Sequence, residues 1–196
     1  ELGRPLTSIN AIRKKPTGKK EFIFLDDLLE TKEAGIEDYF RMNPTAKVIF
    51  KTEQGMEVPV LINEVIAKAF LLARKYGFKL SFMGGDARRM LFGVDPFLST
   101  SDIDLTIDPI ITDIYDPRYS EYKQFRNKLN KLFKDNPITR ECSIDDMYAR
   151  GIIDLLRGTG RYSGFKPVAG FTIDRLRINS DGTISPLIEG EQVDSF

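Results

Sequence analysis

The sequence predicts a fold of the α/β class, in the α+β sense, with a mixed, twisted sheet flanked by helices. Three observations support this. Segments with apolar residues at helical spacing alternate with short apolar runs along the 196 residues. The runs "AKVIFKT" and "MEVPVLI" are separated by Glu53-Gln54-Gly55, which is typical of a hairpin. A second hairpin is expected in "GFTIDRLRINSDGTISPL", with Asp181-Gly182 in its turn.

Residues 1–45 are predicted to form an N-terminal arm and a short helix, and residues 46–196 the main domain. Residues 1–20 hold six lysine or arginine residues and one acid. Such a segment is typical of a solvated arm. Contact with RNA, or with a protein partner in a larger assembly, is the alternative interpretation.

The segment "NEVIAKAFLLARKYGF" has apolar residues at helical spacing, with Asn63 as a plausible N-cap and Gly77 at the C-terminal end. The strand "FKLSFM" follows and ends at Gly84-Gly85. A short helix is then expected from residue 86 to 92, followed by a loop and the strand "DIDLTID". Two more helices are predicted, over residues 120–134 and in "SIDDMYARGIIDLLRG".

Composition excludes several kinds of chemistry. The chain has no histidine and one cysteine, so catalytic triads that use histidine and intrachain disulfides are excluded. Lysine plus arginine equals aspartate plus glutamate, 29 each, and any surface that binds nucleic acid must therefore be local. The sequence shows no membrane-spanning run and no signal-peptide pattern, and we expect a cytoplasmic, reducing compartment and no membrane partner.

The strand "DIDLTID" carries paired carboxylates. Alternation puts Asp102, Asp104, Thr106 and Asp108 on one face and the apolar Ile103, Leu105 and Ile107 on the other. Neighbouring carboxylates repel each other unless a cation lies between them or one of them is protonated. Oxygen ligands of this kind suit Mg²⁺ or Mn²⁺, and the rest of the ion's coordination comes from water and substrate phosphates. Asp102 and Asp104 are the predicted metal ligands.

The glycine pair fits the same chemistry. Where a strand ends in Gly84-Gly85 and a helix begins, bare backbone N–H groups can approach phosphate oxygens, and the helix N-terminus adds partial positive charge. Arg88 and Arg89 follow one turn later and are expected to bind a nucleoside triphosphate. The order of strand, Gly-Gly, basic helix and Asp-x-Asp strand indicates metal-dependent nucleotidyl transfer.

These motifs resemble the nucleotidyltransferase superfamily of DNA polymerase beta, and most closely the head domain of CCA-adding enzymes and bacterial-type poly(A) polymerases. "GGDARRMLFG" and "SDIDLTID" match its Gly-Gly helix and Asp-x-Asp strand, and "FTIDRLRINSDGTI" is similar to a later Phe-Thr-Ile-Asn segment. The resemblance implies a nucleotidyltransferase fold and transfer of ATP or CTP nucleotides to an RNA 3′ end. Arg89 stands where the family has an aspartate, and Val168-Ala169-Gly170 stands where the family has Arg-Arg-Asp. The resemblance therefore does not imply which base is selected.

The resemblance also implies a third carboxylate on a strand beside the first two. Asp174 is the first choice, and Glu141 and Asp154 are the alternatives; the segment around Asp154 has a helical pattern. The Gly-Gly pair followed by Ser101 and the Asp pair also resembles the Ser-x-Asp-x-Asp pattern of toxin-type nucleotidyltransferases, which use tRNA or a protein as acceptor. Ser101 is expected in the nucleotide site. A catalytically inactive subunit of a larger assembly is the remaining alternative.

Overall fold

A computed structural model describes residues 23–98, 103–109, 111, 114–134, 153–156 and 176–186. The helices in these residues are α1 (Leu25–Glu30), α2 (Lys32–Met42), α3 (Glu64–Lys75), α4 (Gly84–Leu91), a 3₁₀ helix (Pro96–Leu98) and α5 (Tyr119–Lys134). The strands are β1 (Ile23–Phe24), β2 (Thr45–Thr52), β3 (Glu57–Asn63), β4 (Lys79–Met83), β5 (Ile103–Asp108), β6 (Ile153–Leu156), β7 (Leu176–Asn179) and β8 (Thr183–Pro186).

The eight strands of the described residues form one sheet of mixed direction. Its order is β1-β2-β8-β7-β4-β5-β6, and β3 pairs with β2 outside this order. The pairs β1–β2, β2–β8 and β5–β6 are parallel, and the others are antiparallel. The predicted α+β class, with helices flanking a mixed sheet, is confirmed.

Two helices cover the apolar face of the central strands. In α3 the buried Phe70 makes edge contacts with Phe50 of β2 and Phe82 of β4, at ring-centroid distances of 6.2 and 5.8 Å. In α5 the fully buried Phe125 lies 5.2 Å from the ring of Phe78, just before β4. The aromatic contacts fix both helices against the strand that leads to the glycine pair.

The predicted start and end of α3 are confirmed. The Asn63 side chain accepts a hydrogen bond from the Ile66 backbone N–H at 2.9 Å, as an N-cap does. Its amide nitrogen donates to both carboxylate oxygens of Asp95 (3.0 and 3.1 Å), which connects the loop after α4 to the start of α3. Gly77 has a φ of 64°, a left-handed conformation that glycine adopts without strain.

The segment before residue 46 contributes to the same hydrophobic core as the sheet. Its apolar side chains in the core are Ile23, Leu25, Leu28, Leu29, Ile36 and Phe40. The short helix expected here is two helices, separated at Thr31. The basic arm lies outside the described residues, and the division at residue 45 stays a prediction.

The β7–β8 hairpin has Asp181-Gly182 in its turn, as predicted, and Gly182 has a φ of 83°. The Asp181 carboxylate accepts a hydrogen bond from the Thr183 backbone N–H at 3.0 Å and pairs with Lys79 Nζ at 3.0 Å. Burial raises the pKa of Asp181, but the hydrogen bonds from Thr183 and Lys79 and the charge of Lys79 outweigh it. The pKa of this carboxyl therefore lies below its ordinary value.

Asp181 is expected to make the stability of the protein depend on pH. Because its pKa is lowered on folding, its contribution is complete above the ordinary pKa of an aspartate and is lost as the pH falls through the lowered value. Urea unfolding of the wild type and of Asp181→Asn at several pH values checks this. The difference in unfolding free energy between the two should shrink in acid. Exposed Glu53→Gln is the control, and an unchanged difference between wild type and Asp181→Asn would contradict the prediction.

Candidate functional site

The glycine pair and the start of β5 lie at the same edge of the sheet. The antiparallel register pairs Lys79 with Asp108 and, at the other end, Phe82 with Leu105. One further step in this register sets Met83, the last residue of β4, against Asp104. The turn at Gly84 therefore follows the strand at the point where the predicted carboxylates begin β5.

A row of register partners crosses the sheet at this edge. Arg177 of β7 pairs with Met83 of β4, and Asp104 of β5 pairs with Asp154 of β6. Residues that are directly opposite on paired strands share a face of the sheet. The row therefore runs Arg177, Met83, Asp104, Asp154, and we call it the site row. It brings Asp154 to the strand beside the predicted metal ligand.

The position of Asp154 corrects the sequence interpretation. The segment Ile153–Leu156 is a strand parallel to β5, not part of a helix. The sequence contains a signal for it: "IIDLL" is a short apolar run between Gly151 and Gly158, which is typical of a buried strand. Asp154 was the least favoured candidate for the third carboxylate. Of the three candidates, it is the one that lies in the described residues.

The opposite face of β5 agrees with the predicted alternation. Ile103, Leu105 and Ile107 are buried, whereas Thr106 is partly exposed and Asp108 is exposed. The apolar side chains pack in the core beneath α3 and α5, which leaves the site row on the other face. The backbone register therefore puts position 104 on the face that α3 and α5 do not cover.

Helix α4 begins directly at the glycine pair, two residues earlier than predicted. Gly84 has a φ of 54°, so the sharp change from strand to helix occurs in a conformation that favours glycine. No side chain caps this end of the helix. The first backbone N–H groups of α4 have no carbonyl partners within the helix and carry its positive dipole end.

The arginines of α4 lie one turn after the glycines. Asp86, which is 2% exposed, accepts a hydrogen bond from Arg89 Nη1 at 2.8 Å. This buried carboxylate holds the Arg89 side chain against the helix. Arg88 is partly buried on the same short helix.

A buried polar network lies beside the site row on the same face. Asn179 is fully buried; its side-chain oxygen accepts from Ser81 Oγ at 2.6 Å, and its nitrogen donates to Thr183 Oγ1 and Ser185 Oγ at 2.9 Å. Ser185 is the register partner of Arg177, so the network supports one end of the row. Apart from the buried Met83, the described side chains on this face of β4, β7 and β8 are polar.

Replacing Asn179 with alanine is expected to lower the free energy of unfolding by about 2–3 kcal/mol, because three hydrogen bonds are lost and a buried hydroxyl loses its acceptor. Urea unfolding measures this change. Gln54→Ala, at an exposed position in the β2–β3 turn, should change the unfolding free energy by less than about 0.5 kcal/mol. A loss of that small size in Asn179→Ala would contradict the role given to the network.

The remaining predicted site residues are only partly described. Gly84, Gly85, Arg88 and Arg89 lie together at the start of α4. The residues Ser101, Asp102, Glu141 and Asp174 lie outside the described residues. The backbone positions of Asp104 and Asp154 are described, but their side chains are not. Among the side chains that are described, no three of the His, Cys, Asp or Glu type form a metal-binding group.

Comparison of the chain with models of known protein families, with curated proteins and with solved structures finds no match. Across the described ranges, no helix is long and apolar enough to cross a membrane.

Proposed function

We propose that the protein is a metal-dependent nucleotidyltransferase with a nucleotidyltransferase fold, which transfers a nucleotide from ATP or CTP to the 3′ end of an RNA. The observation that carries the proposal is the shared edge of the sheet. The Gly84-Gly85 turn, the start of α4 and the register pair Asp104 and Asp154 meet there. Phosphate-binding backbone and cation-binding carboxylates at one edge are what this reaction needs.

The residues at this edge suit a hard divalent cation. Asp104 and Asp154 are register partners on adjacent strands, whose backbones are about 4.8 Å apart. Two carboxylates at such positions are favourable when a cation neutralises them. The alternation in the sequence predicts Asp102 as a further ligand. The proposed ligands of Mg²⁺ or Mn²⁺ are Asp102, Asp104 and Asp154. The bound cation would neutralise negative charge on the triphosphate and lower the pKa of the attacking hydroxyl.

The start of α4 has a separate task in the proposed reaction. The backbone N–H groups after Gly84 hydrogen-bond phosphate oxygens, and the helix dipole adds partial positive charge. Arg88 adds a full positive charge within the next turn, and Arg89, which is paired with Asp86, offers its remaining guanidinium N–H groups. Asp86 limits the conformations of Arg89 through the 2.8 Å hydrogen bond, so less side-chain freedom is lost when the nucleotide binds.

A transfer assay with Mg²⁺ tests the proposal. The protein is incubated with α-³²P-labelled ATP or CTP and a single-stranded RNA oligonucleotide, and the products are separated by length. The proposal expects RNA that is longer by one or more labelled nucleotides, and no product in EDTA. Parallel incubations with total RNA and with a protein lysate identify a different acceptor. No label transfer to any of the three acceptors would overturn the proposal.

A further inference from the structure

Helix α5 carries an excess of positive charge, although the formal net charge of the chain is zero. Its 16 residues contain five lysines or arginines and one acid, Glu121, whereas the whole chain has 29 of each kind. The acid is already engaged, since Arg118 Nε lies 3.2 Å from its carboxylate. By contrast, α2 carries two basic and three acidic residues. Helix α3 has three basic residues and one acid, so the excess in α5 is the largest among the described helices.

Three of the five basic residues, Lys123, Lys128 and Lys131, lie on the face of α5 that points away from the core. Tyr122, Phe125, Leu129 and Phe133 are buried. The exposed positions between them form what we call the basic stripe: Lys123, Gln124, Asn127, Lys128 and Lys131. Amides stand four residues before Lys128 and Lys131, where acids would have stabilised the helix. The like charges three residues apart, Lys128 and Lys131, are instead unfavourable in the free protein.

Helix α5 runs from one end of β4 to the other. At its start, Arg118 donates to the carbonyl oxygens of Tyr76 and Gly77, at 2.7 and 3.1 Å, just before β4 begins. At its end, the ring of Phe133 lies 5.6 Å from that of Phe97, in the loop between α4 and β5. The stripe therefore leads along the helix toward the strand ends that hold the glycine pair and Asp104. Because α5 covers the face of the sheet opposite the site row, an acceptor on the stripe reaches the site row by passing around these strand ends at residues 92–98.

We propose that the basic stripe binds the phosphate backbone of the single-stranded RNA acceptor and directs its 3′ end toward the loop at residues 92–98. This inference rests on the proposed function, and it names where the acceptor lies. Lysine side chains neutralise phosphates, and Gln124 and Asn127 hydrogen-bond phosphate or ribose oxygens. Binding of a polyanion would also reduce the electrostatic repulsion among the lysines of the basic stripe.

The stripe fits a nucleic acid better than a membrane surface. A helix that lies on a membrane inserts an apolar face between the lipids. The apolar face of α5 is already buried against α3 and the strand region at Phe78. What α5 offers to solvent is charge and amides, the side chains that contact a nucleic-acid backbone.

The test measures binding of a 5′-fluorescein-labelled single-stranded RNA to the full chain by fluorescence anisotropy, in EDTA and without nucleotide. The double variant Lys123→Gln with Lys131→Gln leaves Lys128, which lies 5.3 Å from the Tyr76 ring, intact. We expect its affinity at low salt to fall about ten-fold and the salt dependence, d log K/d log[salt], to become less steep by about 1.4. The matched control removes two exposed lysines outside α5, Lys32→Gln with Lys51→Gln, and should bind within two-fold of the wild type.

Four outcomes would overturn the inference: no RNA binding by the wild type, equal losses in the two double variants, no loss in the α5 variant, or binding to phosphatidylserine vesicles in place of RNA. Cross-linking from a 3′-terminal 4-thiouridine should reach residues 92–98, and cross-links confined to the turn at residues 179–183, at the other end of the strands, would overturn the proposed path. Because these measurements need neither metal nor nucleotide, they fail independently of the transfer assay. Intact RNA binding without transfer would count against the proposed function alone.

Discussion

Replacing Asp104 with asparagine should lower the rate of nucleotide transfer by about a thousand-fold or more, equivalent to about 4 kcal/mol of transition-state stabilisation. Asparagine keeps the size of the side chain and removes its negative charge. The charge is what a divalent cation needs at the start of β5, where Asp104 lies opposite Asp154. Transfer of labelled ATP or CTP to RNA under single-turnover conditions measures the loss.

The same strand offers a matched control. Asp108 is four residues further along β5, on the same face, exposed, and paired in register with Lys79 at the opposite end of β4. Asp108→Asn should leave transfer within about two-fold of the wild type, because surface substitutions away from a site have small effects. Thermal unfolding should show both variants folded. Equal activity in Asp104→Asn and Asp108→Asn would contradict the assignment of the site to this edge.

Replacing Asp154 with asparagine should cause a loss of transfer similar to that of Asp104→Asn. The reason is geometric: the two residues are register partners on parallel strands, so they share a face and are as close as neighbouring strands allow. The comparison with Asp174→Asn decides which residue is the third carboxylate. The β5–β6 pairing favours Asp154, whereas the resemblance to CCA-adding enzymes favoured Asp174.

Two measurements distinguish the loss of a metal ligand in Asp154→Asn from a general loss of stability. Transfer rates at saturating Mg²⁺ and at a series of lower concentrations show whether the variant needs more metal, as expected when a ligand is lost. The thermal unfolding midpoint separates this from a general loss of stability. Full activity in Asp154→Asn together with inactive Asp174→Asn would show that the register pair is not the metal site.

Elements with strong local signals were predicted well from the sequence. The Asn63 side chain caps α3 and Gly77 follows its end in a left-handed conformation, because these requirements are set by the backbone within a few residues. The Asp181-Gly182 turn is equally local. In β5, period-two alternation predicted the burial of Ile103, Leu105 and Ile107 correctly.

The segment at Asp154 could not be assigned from local signals alone. A short apolar run fits both a buried strand and part of a helix, and the choice depends on what it packs against. Here the partner is β5, about fifty residues earlier in the chain, and a parallel pairing has no turn signal to predict it. The third member of the candidate site depends on this non-local pairing.

The basic residues of α5 are visible in the sequence, but their position relative to the candidate site is known only from the fold. Its lysines read as the solvated face of a polar helix. The contacts near its two ends, Arg118 with Gly77 and Phe133 with Phe97, show that the helix runs toward the strand ends at which the glycine pair lies. The direction of the helix is a tertiary property, and the proposed path for the acceptor depends on it.

The most direct test of the central claim is a Mn²⁺ titration followed by electron paramagnetic resonance, with and without a non-hydrolysable ATP analogue. The account predicts Mn²⁺ binding that tightens at least ten-fold when the nucleotide analogue is present, is lost in Asp104→Asn and is retained in Asp108→Asn. Mn²⁺ binding that is absent in the wild type, or equal in the two variants, would show that the carboxylates of this sheet edge do not form a cation site.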